Sequence, residues 1–306
     1  MIFNSPVYPI PPSFDDTESN ALETESTKQY IQYLNSHGAS HIMTTAGTSQ
    51  FNLLSINEVR QLNETLITFP GNKIIGIPPL SLKHTLEELE HYNSMNIDSA
   101  YILVLFPERY YTHDQLVEYF TTIAKNSKYP VLAHGNPIRK GSGGTFEFDN
   151  ELLSKFSKIK NFIGIKEETS SINLATSCIN GLDLEIIVAG GSMKRFWCLQ
   201  PFGATTYLSG VGSFFPEYEE EFYRLYNTDK LNLARKVINE VETPMFQTFM
   251  DIGWHACMRA GLKYLGLMRS NRLPFHELSV DDRRKVESGI DKVKQRLASE
   301  YVPQFN

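Results

Sequence analysis

The alternation of short apolar runs with longer amphipathic stretches most constrains the fold of this chain. Between residues 7 and 208, eight short runs are each followed by a stretch with helical spacing, and the connections are short. Parallel strands need such helical crossovers, and eight of them can close into a barrel. A doubly wound open sheet is the alternative, but no GxGxxG follows the first strand. The pattern therefore predicts a (β/α)8 TIM barrel.

The pattern changes after about residue 215, where only helical spacing continues. We predict a barrel over residues 1–215 and a helical region over residues 216–306 that packs on the barrel. The predicted strands are 7–10, 41–44, 73–77, 99–105, 129–134, a run that ends at Lys166, 184–189 and 205–208. The predicted helices of the C-terminal extension are 218–226, 231–241, 245–267 and 280–297.

Charge, hydropathy and cysteine spacing exclude several classes of protein. The net charge of -6 and the pI of about 5.8 argue against a nucleic-acid-binding protein. No apolar run reaches the roughly 18 residues of a membrane span. Cys178, Cys198 and Cys257 are far apart and form no CxxC pair, so we expect neither a metal site nor a disulfide framework. A reducing, cytoplasmic location follows as the expectation.

The sixth predicted strand ends in a lysine, Lys166, which is a candidate nucleophile. Strand alternation places Phe162, Gly164 and Lys166 on one face, and Ile163 and Ile165 on the other. A lysine on a buried strand loses hydration, which disfavours its charged form. A neutral amine is a nucleophile that can form a Schiff base with a carbonyl compound. Two alternatives stay open, namely an ion pair with a nearby carboxylate such as Glu167 and a position at the solvent edge of the strand.

Other polar residues follow the predicted strand ends, where a barrel places its active site. The turn at residues 45–49 offers hydroxyls and backbone N–H groups that can bind a carboxylate, and an ordinary loop is the alternative. His134 can act as a general acid or base, or be a hydrogen-bonded structural histidine. Arg139 can clamp a carboxylate, or belong to a solvated basic loop. The residues singled out in this way include Thr45, Gly47, Thr48, Tyr110, His134, Arg139, Lys166 and Gly190.

With these residues assembled, the chain resembles the class I aldolase family of dihydrodipicolinate synthase and N-acetylneuraminate lyase. Gly164-Ile165-Lys166, the Pro-x-Arg-x-Gly run of residues 137–141 and the turn of residues 45–49 carry the resemblance. It implies that Lys166 forms an imine with pyruvate or another 2-keto acid, without a cofactor. It also implies a homotetramer or homodimer. The substrate-binding residues that it implies are Thr45, Gly47, Thr48, Tyr110, Arg139, Gly190 and Leu208.

The departures from this family predict an altered specificity. His134 stands where the family usually has a tyrosine that relays protons, and Ala46 and Thr48 replace a threonine and a glutamate of the turn. Tyr110 fits the position of the family's inter-subunit tyrosine only with a changed loop. We therefore predict a Schiff-base lyase or aldolase that differs in specificity from dihydrodipicolinate synthase, with His134 as the proton relay. The alternative is a catalytically degenerate barrel that binds a small ligand or a protein partner.

Overall fold

The structure is a computed structural model that describes residues 1–79, 81–107, 112–135 and 148–299. Eight parallel strands form one sheet in sequence order. A bridge between Val7 and Leu208 joins the last strand to the first, and Ser209 N donates to Val7 O at 2.8 Å. The (β/α)8 barrel predicted from the sequence is thus confirmed. The strands are β1 Val7–Pro9, β2 His41–Met43, β3 Asn72–Ile77, β4 Ala100–Leu105, β5 Val131–His134, β6 Phe162–Glu167, β7 Glu185–Val188 and β8 Thr206–Tyr207.

Helices follow the strands in the expected alternation, and side-chain caps begin several of them. Ser55 with Glu58, and Thr112 with Gln115, form capping boxes that satisfy the first free N–H groups of two helices. The helices are α1 Thr24–Ser36, α2 Ile56–Leu66, α3 Leu82–Ser94, α4 His113–Asn126, α5 Asn150–Phe156, α6 Ile172–Ile179, α7 Ser192–Leu199, α8 Pro216–Asn227, α9 Leu231–Val237, α10 Thr243–Ile252, α11 Trp254–Tyr264 and α12 Val280–Ser299. No helix in the described ranges is long and apolar enough to cross a membrane.

Alternation along the strands fills two separate cores. One core lies inside the barrel and includes Met43, Leu103 and Ile187, while a larger one lies between the strands and the surrounding helices. The predicted placement of Phe162 on the face of Lys166 is wrong, because Phe162 packs edge-on against Phe120 and at a tilt against Phe156 in the outer core. The register between β5 and β6 shifts near Phe162, and this irregularity rotates the strand before it reaches Lys166.

The C-terminal helices depart from the sequence prediction in two places, and in the first of them α9 continues through a π-helical segment, Ile238–Glu242, directly into α10. The helix predicted over residues 245–267 is two helices, α10 and α11, which are broken at Gly253. Gly253 has φ of 131°, a conformation that favours glycine. After the break, α11 places His255 beside Gly47 in the loop that follows β2. The predicted domain boundary near residue 215 stays a prediction.

A buried arginine anchors α11 to the barrel. Arg259 is fully buried, and its Nη1 donates to Pro12 O at 2.9 Å and to Gln50 Oε1 at 2.8 Å. Burial lowers the pKa of Arg259 to about 10, so the guanidinium stays charged at neutral pH. Its hydrogen bonds therefore fix the position of α11 above the carboxyl ends of β1 and β2.

Candidate active site

Three strands bring polar side chains together around Lys166, near the carboxyl end of β6. Lys166 pairs in register with His134 at the end of β5. Its Nζ lies 3.0 Å from His134 Nε2, 3.2 Å from Glu168 Oε2 and 3.5 Å from Thr45 Oγ1. Lys166 is 3% exposed and His134 is fully buried. The structure thus brings together Lys166, His134 and Thr45, three of the residues that the sequence singled out.

Lys166, His134 and Glu168 form a triangle in which each polar group lies within hydrogen-bond distance of the other two. His134 Nε2 lies 2.9 Å from Glu168 Oε2 as well as 3.0 Å from the lysine nitrogen. Nε2 either carries a hydrogen, which it can donate to Glu168, or accepts one from Lys166. Moving one proton between Nζ and Nε2 therefore switches the hydrogen-bond pattern of all three groups. Such an arrangement can deliver and remove protons at the lysine nitrogen.

Glu168 is the functional candidate that the sequence reasoning missed. Burial acts to raise the pKa of Glu168, but the charge of Lys166 and the hydrogen bond from His134 outweigh it and lower this pKa. Its carboxylate is therefore ionised at neutral pH, and its side chain is 25% exposed, so water reaches it. The available signal was its spacing of two residues from Lys166, which places both side chains on the same side of the chain.

The neighbouring Glu167 has a different role from the one that the sequence suggested. Its side chain points to the opposite face, where Arg195 of α7 binds it with Nη2–Oε1 at 2.9 Å and Nε–Oε2 at 3.2 Å. Thr169 also donates its backbone N–H to Glu167 at 2.7 Å. The prediction that Glu167 is the ion-pair partner of Lys166 is thus wrong, because successive strand residues face opposite sides. The carboxylate that pairs with Lys166 is Glu168.

The turn at residues 45–49 is held by its own hydrogen bonds. Ser49 Oγ accepts from Thr45 N at 2.9 Å and donates to Ile10 O at 2.7 Å. Gly47 N donates to Thr45 Oγ1 at 3.3 Å. Thr45 and Thr48 are buried, at 1% and 6% exposure. The hydroxyl of Thr48 makes no hydrogen bond within the described ranges, so it remains a donor for a ligand.

The remaining predicted residues lie at different distances from this cluster. Gly190 has φ of 74°, and a Cβ there would lie 3.6 Å from Glu168 Cγ, so the β7 loop contacts the site directly. Leu208 is half-buried and packs on the core inside the barrel. Arg139 and Tyr110 lie outside the described residues. Their roles therefore stay predictions.

Comparison with known proteins identifies related sequences over most of the chain. Residues 9–293 match the model of the dihydrodipicolinate synthetase family. A 4-hydroxy-tetrahydrodipicolinate synthase of Bdellovibrio bacteriovorus is 22% identical over 264 residues, which cover 84% of this chain and 87% of that protein. The protein of the same name from Sulfurihydrogenibium sp. is 21% identical over 297 residues, covering 95% of this chain and 98% of that protein.

Solved structures share the architecture. A monomeric dihydrodipicolinate synthase variant has a TM-score of 0.83 at 18% identity and covers 96% of this chain and 97% of its own. Dihydrodipicolinate synthase from Thermotoga maritima has a TM-score of 0.81 at 19% identity, with 96% and 99% covered. At these identities the likeness shows the barrel and its C-terminal helices, while the chemistry has to be argued from the site.

Proposed function

Because this chain belongs to the dihydrodipicolinate synthetase family, we propose that it is a lyase of the aldolase type that forms a Schiff base between Lys166 and pyruvate or another 2-keto acid. The observation that carries the proposal is the contact of Lys166 Nζ with His134 Nε2 at 3.0 Å, at the carboxyl ends of the strands. A nucleophile within hydrogen-bond reach of a base is the arrangement that covalent catalysis requires.

Imine formation uses the triangle of Lys166, His134 and Glu168. Lys166 passes a proton to His134, and the neutral amine attacks the ketone carbon of the substrate. The ketone oxygen takes up two protons in the course of the reaction and leaves as water, which yields the imine. Glu168 is ionised at neutral pH, so it stabilises the positive charge of the protonated imine in the way that it stabilises the ammonium of Lys166.

The protonated imine then acts as an electron sink. Removal of a proton from the adjacent carbon gives an enamine, which adds to the carbonyl of an acceptor and forms a carbon–carbon bond. In the reverse direction the same bond breaks, and its electrons move into the imine. We assign the transfer of the proton at this carbon to His134, because its Nε2 contacts both Lys166 and Glu168.

The substrate carboxylate would bind at the turn of residues 45–49. Thr45 Oγ1 lies 3.5 Å from Lys166 Nζ, so a keto acid joined to Lys166 reaches this turn with its carboxylate. The proposed roles of Arg139 at the acceptor end, and of Gly190 and Leu208 along the floor of the pocket, follow the family resemblance. His134 in place of the family's tyrosine supports a specificity different from that of dihydrodipicolinate synthase.

Reduction of the imine tests the proposal directly. The protein is incubated with pyruvate and sodium borohydride, and peptides are mapped by mass spectrometry. We expect a reduced pyruvate adduct on Lys166, and a panel of other 2-keto acids then ranks the substrates. Absence of an adduct on Lys166 with every 2-keto acid of the panel contradicts the proposal.

One observation favours a second candidate, a barrel that has kept the fold and binds a ligand or a protein partner without catalysis. Lys166 Nζ forms an ion pair with Glu168 at 3.2 Å, and an ammonium group held in such a pair is not a nucleophile. A Lys166→Ala variant separates the two candidates, because it abolishes every activity of the first and leaves binding by the second. We also propose a homo-oligomer, which light scattering of the purified chain tests.

A further inference from the structure

His255 reaches the candidate active site from outside the barrel. It is the second residue of α11, which begins directly after the break at Gly253. Its ring atoms Cε1 and Nε2 lie 3.9 Å and 4.0 Å from the position that a Cβ on Gly47 would take. Gly47 belongs to the turn of residues 45–49. An imidazole of the C-terminal helical region therefore packs with its Cε1–Nε2 edge against the turn proposed to hold the substrate carboxylate.

The hydrogen bonding of His255 does not correspond to that of a structural histidine. Its Nδ1 is buried and has no hydrogen-bond partner among the residues that the structure describes. Buried polar atoms are normally paired, and a histidine that serves packing alone usually binds a backbone carbonyl or a side chain through this nitrogen. The ring of His255 is thus held by α11 and by contacts with the turn, which leaves Nε2 on the side of the ligand.

The side chains of the turn offer few donors for a carboxylate. Thr45 N donates to Ser49 Oγ, and Gly47 N donates to Thr45 Oγ1, which keeps its own hydrogen. The N–H groups of Ala46 and Thr48 make no hydrogen bond within the described ranges. Ser49 Oγ donates to Ile10 O, and Ala46 has no polar side chain. A carboxylate has about four sites for hydrogen bonds, and the hydroxyl of Thr48 fills one of them. A side-chain donor beside Gly47 adds to the hydroxyls and N–H groups of this turn.

We infer that His255 is a substrate-binding residue whose Nε2 donates a hydrogen bond to the carboxylate of the 2-keto acid held at the turn of residues 45–49. The inference rests on the proposed function, since it concerns the same substrate. It assigns the C-terminal helices a part in binding, because α11 carries His255 to the turn that follows β2. Arg259 lies one turn further along α11 and fixes this helix to the barrel.

Charges around the ring predict how binding depends on pH. Burial lowers the pKa of His255, the charge of Glu168 raises it, and the charges of Lys166 and Arg259 lower it again, with a net decrease. The ring is therefore neutral in the empty site at neutral pH. A bound carboxylate adds a negative charge beside it and raises this pKa, so the complex holds its proton more tightly than the free protein. Affinity is then highest below the pKa of the free ring and falls as the pH rises from that value to the pKa of the complex.

The test measures the pyruvate concentration that gives half-maximal borohydride adduct at pH 6, 7 and 8. For His255→Ala we expect this concentration to rise about tenfold at pH 7, as loss of one hydrogen bond to a carboxylate implies, with the yield at saturation unchanged. His255→Gln keeps an N–H donor, and we expect it to recover most of the affinity without the pH dependence. His276→Ala, at an exposed histidine, is the matched control and should behave as the unaltered protein.

Two readouts keep this inference distinct from the proposed function. Calorimetric titration of the unaltered protein and of His255→Ala with pyruvate measures binding whether or not an imine forms. If the unaltered protein binds pyruvate but gives no adduct, the Schiff-base proposal fails, and the weaker binding of His255→Ala still supports the role of His255. Equal affinities of these two proteins, or the absence of pyruvate binding, overturn the inference.

Discussion

Two lysines with the same exposure lie at opposite ends of the barrel. Lys73, near the start of β3, and Lys166, near the end of β6, are each 3% exposed. Lys73 Nζ donates to the backbone carbonyls of Phe69 at 2.9 Å and Gly71 at 2.8 Å. Lys166 Nζ instead contacts two titratable side chains, those of His134 and Glu168. The first amine has partners that only accept hydrogen bonds, whereas the second has partners with titratable side chains.

The difference shows that burial alone does not identify a reactive lysine. Burial lowers the pKa of Lys73, and the charge of Asp98 opposes this shift. Among the described residues, the Lys73 nitrogen donates to backbone carbonyls and to no titratable base. Lys73 therefore fixes the loop before β3. What distinguishes Lys166 is its position at the carboxyl ends of the strands, together with a proton acceptor at 3.0 Å.

Charge-conserving substitution of each lysine gives the largest expected contrast. An arginine at position 166 retains the ion pair with Glu168 but has no primary amine, so Lys166→Arg should abolish imine formation. Lys73→Arg should keep it. The measurement is incorporation of solvent deuterium into the methyl group of pyruvate. This exchange proceeds through the enamine and can be measured without knowing the acceptor. Exchange that persists in Lys166→Arg, or disappears in Lys73→Arg, removes the distinction between the two lysines.

Replacement of His134 tests whether the titratable partner of Lys166 is needed for the proposed proton transfer. His134→Phe should slow the deuterium exchange by about 10²- to 10⁴-fold, because it removes the general acid–base group. His134→Tyr should retain part of the rate, since a phenol also carries a transferable proton. As a control, each variant is incubated for a long time with saturating pyruvate and borohydride. Formation of the adduct shows that Lys166 remains accessible. An unchanged exchange rate in His134→Phe would assign the proton transfer to another group.

The fold was predictable because its signals are local. Capping residues such as Ser55 and Thr112 lie within one turn of the helices that they begin, and strand alternation is visible within a few residues. The face of Phe162 was not predictable, since the register shift depends on pairing between β5 and β6. A β-bulge of this kind rotates side chains without leaving a pattern in one strand alone.

The candidate site was predictable only in part, for a related reason. Strand ends pointed to Lys166, His134 and Thr45, because a barrel brings all its carboxyl ends to one rim. Glu168 follows β6, and the predicted strand ended at Lys166, so alternation was not applied to it. His255 was hidden inside a predicted continuous helix, and its contact with Gly47 joins residues far apart in the sequence. The contact of His255 follows from no local pattern, whereas that of Glu168 follows only when strand alternation is continued beyond the end of β6.

Acid titration distinguishes the carboxylate beside Lys166 from an ordinary surface carboxylate. The pKa of Glu168 is lowered below its unfolded value of about 4.3, so its stabilising effect is present above that pH and is lost as the pH falls through the folded pKa. Glu168→Gln should therefore lower the free energy of unfolding by about 1.5–3 kcal/mol at pH 7, with a smaller difference near pH 3. Glu151→Gln, at an exposed ion pair with Lys155, is the control. Urea unfolding at both pH values measures the effect, and a difference independent of pH would contradict it.

The smallest expected effect concerns Lys73, and it completes the contrast between the two amines. Lys73→Met keeps the length of the side chain but removes both hydrogen bonds, to a buried carbonyl at Phe69 and a partly buried one at Gly71. Water can replace the amine at Gly71 more easily than at Phe69, so we expect a loss of about 1 kcal/mol in the free energy of unfolding. Deuterium exchange into pyruvate should be unaffected, because Lys73 lies at the opposite end of the barrel from the proposed site. Lys73→Met with normal stability but impaired exchange would mean that the two ends of the barrel are coupled, and the assignment of separate roles to the two lysines would then be wrong.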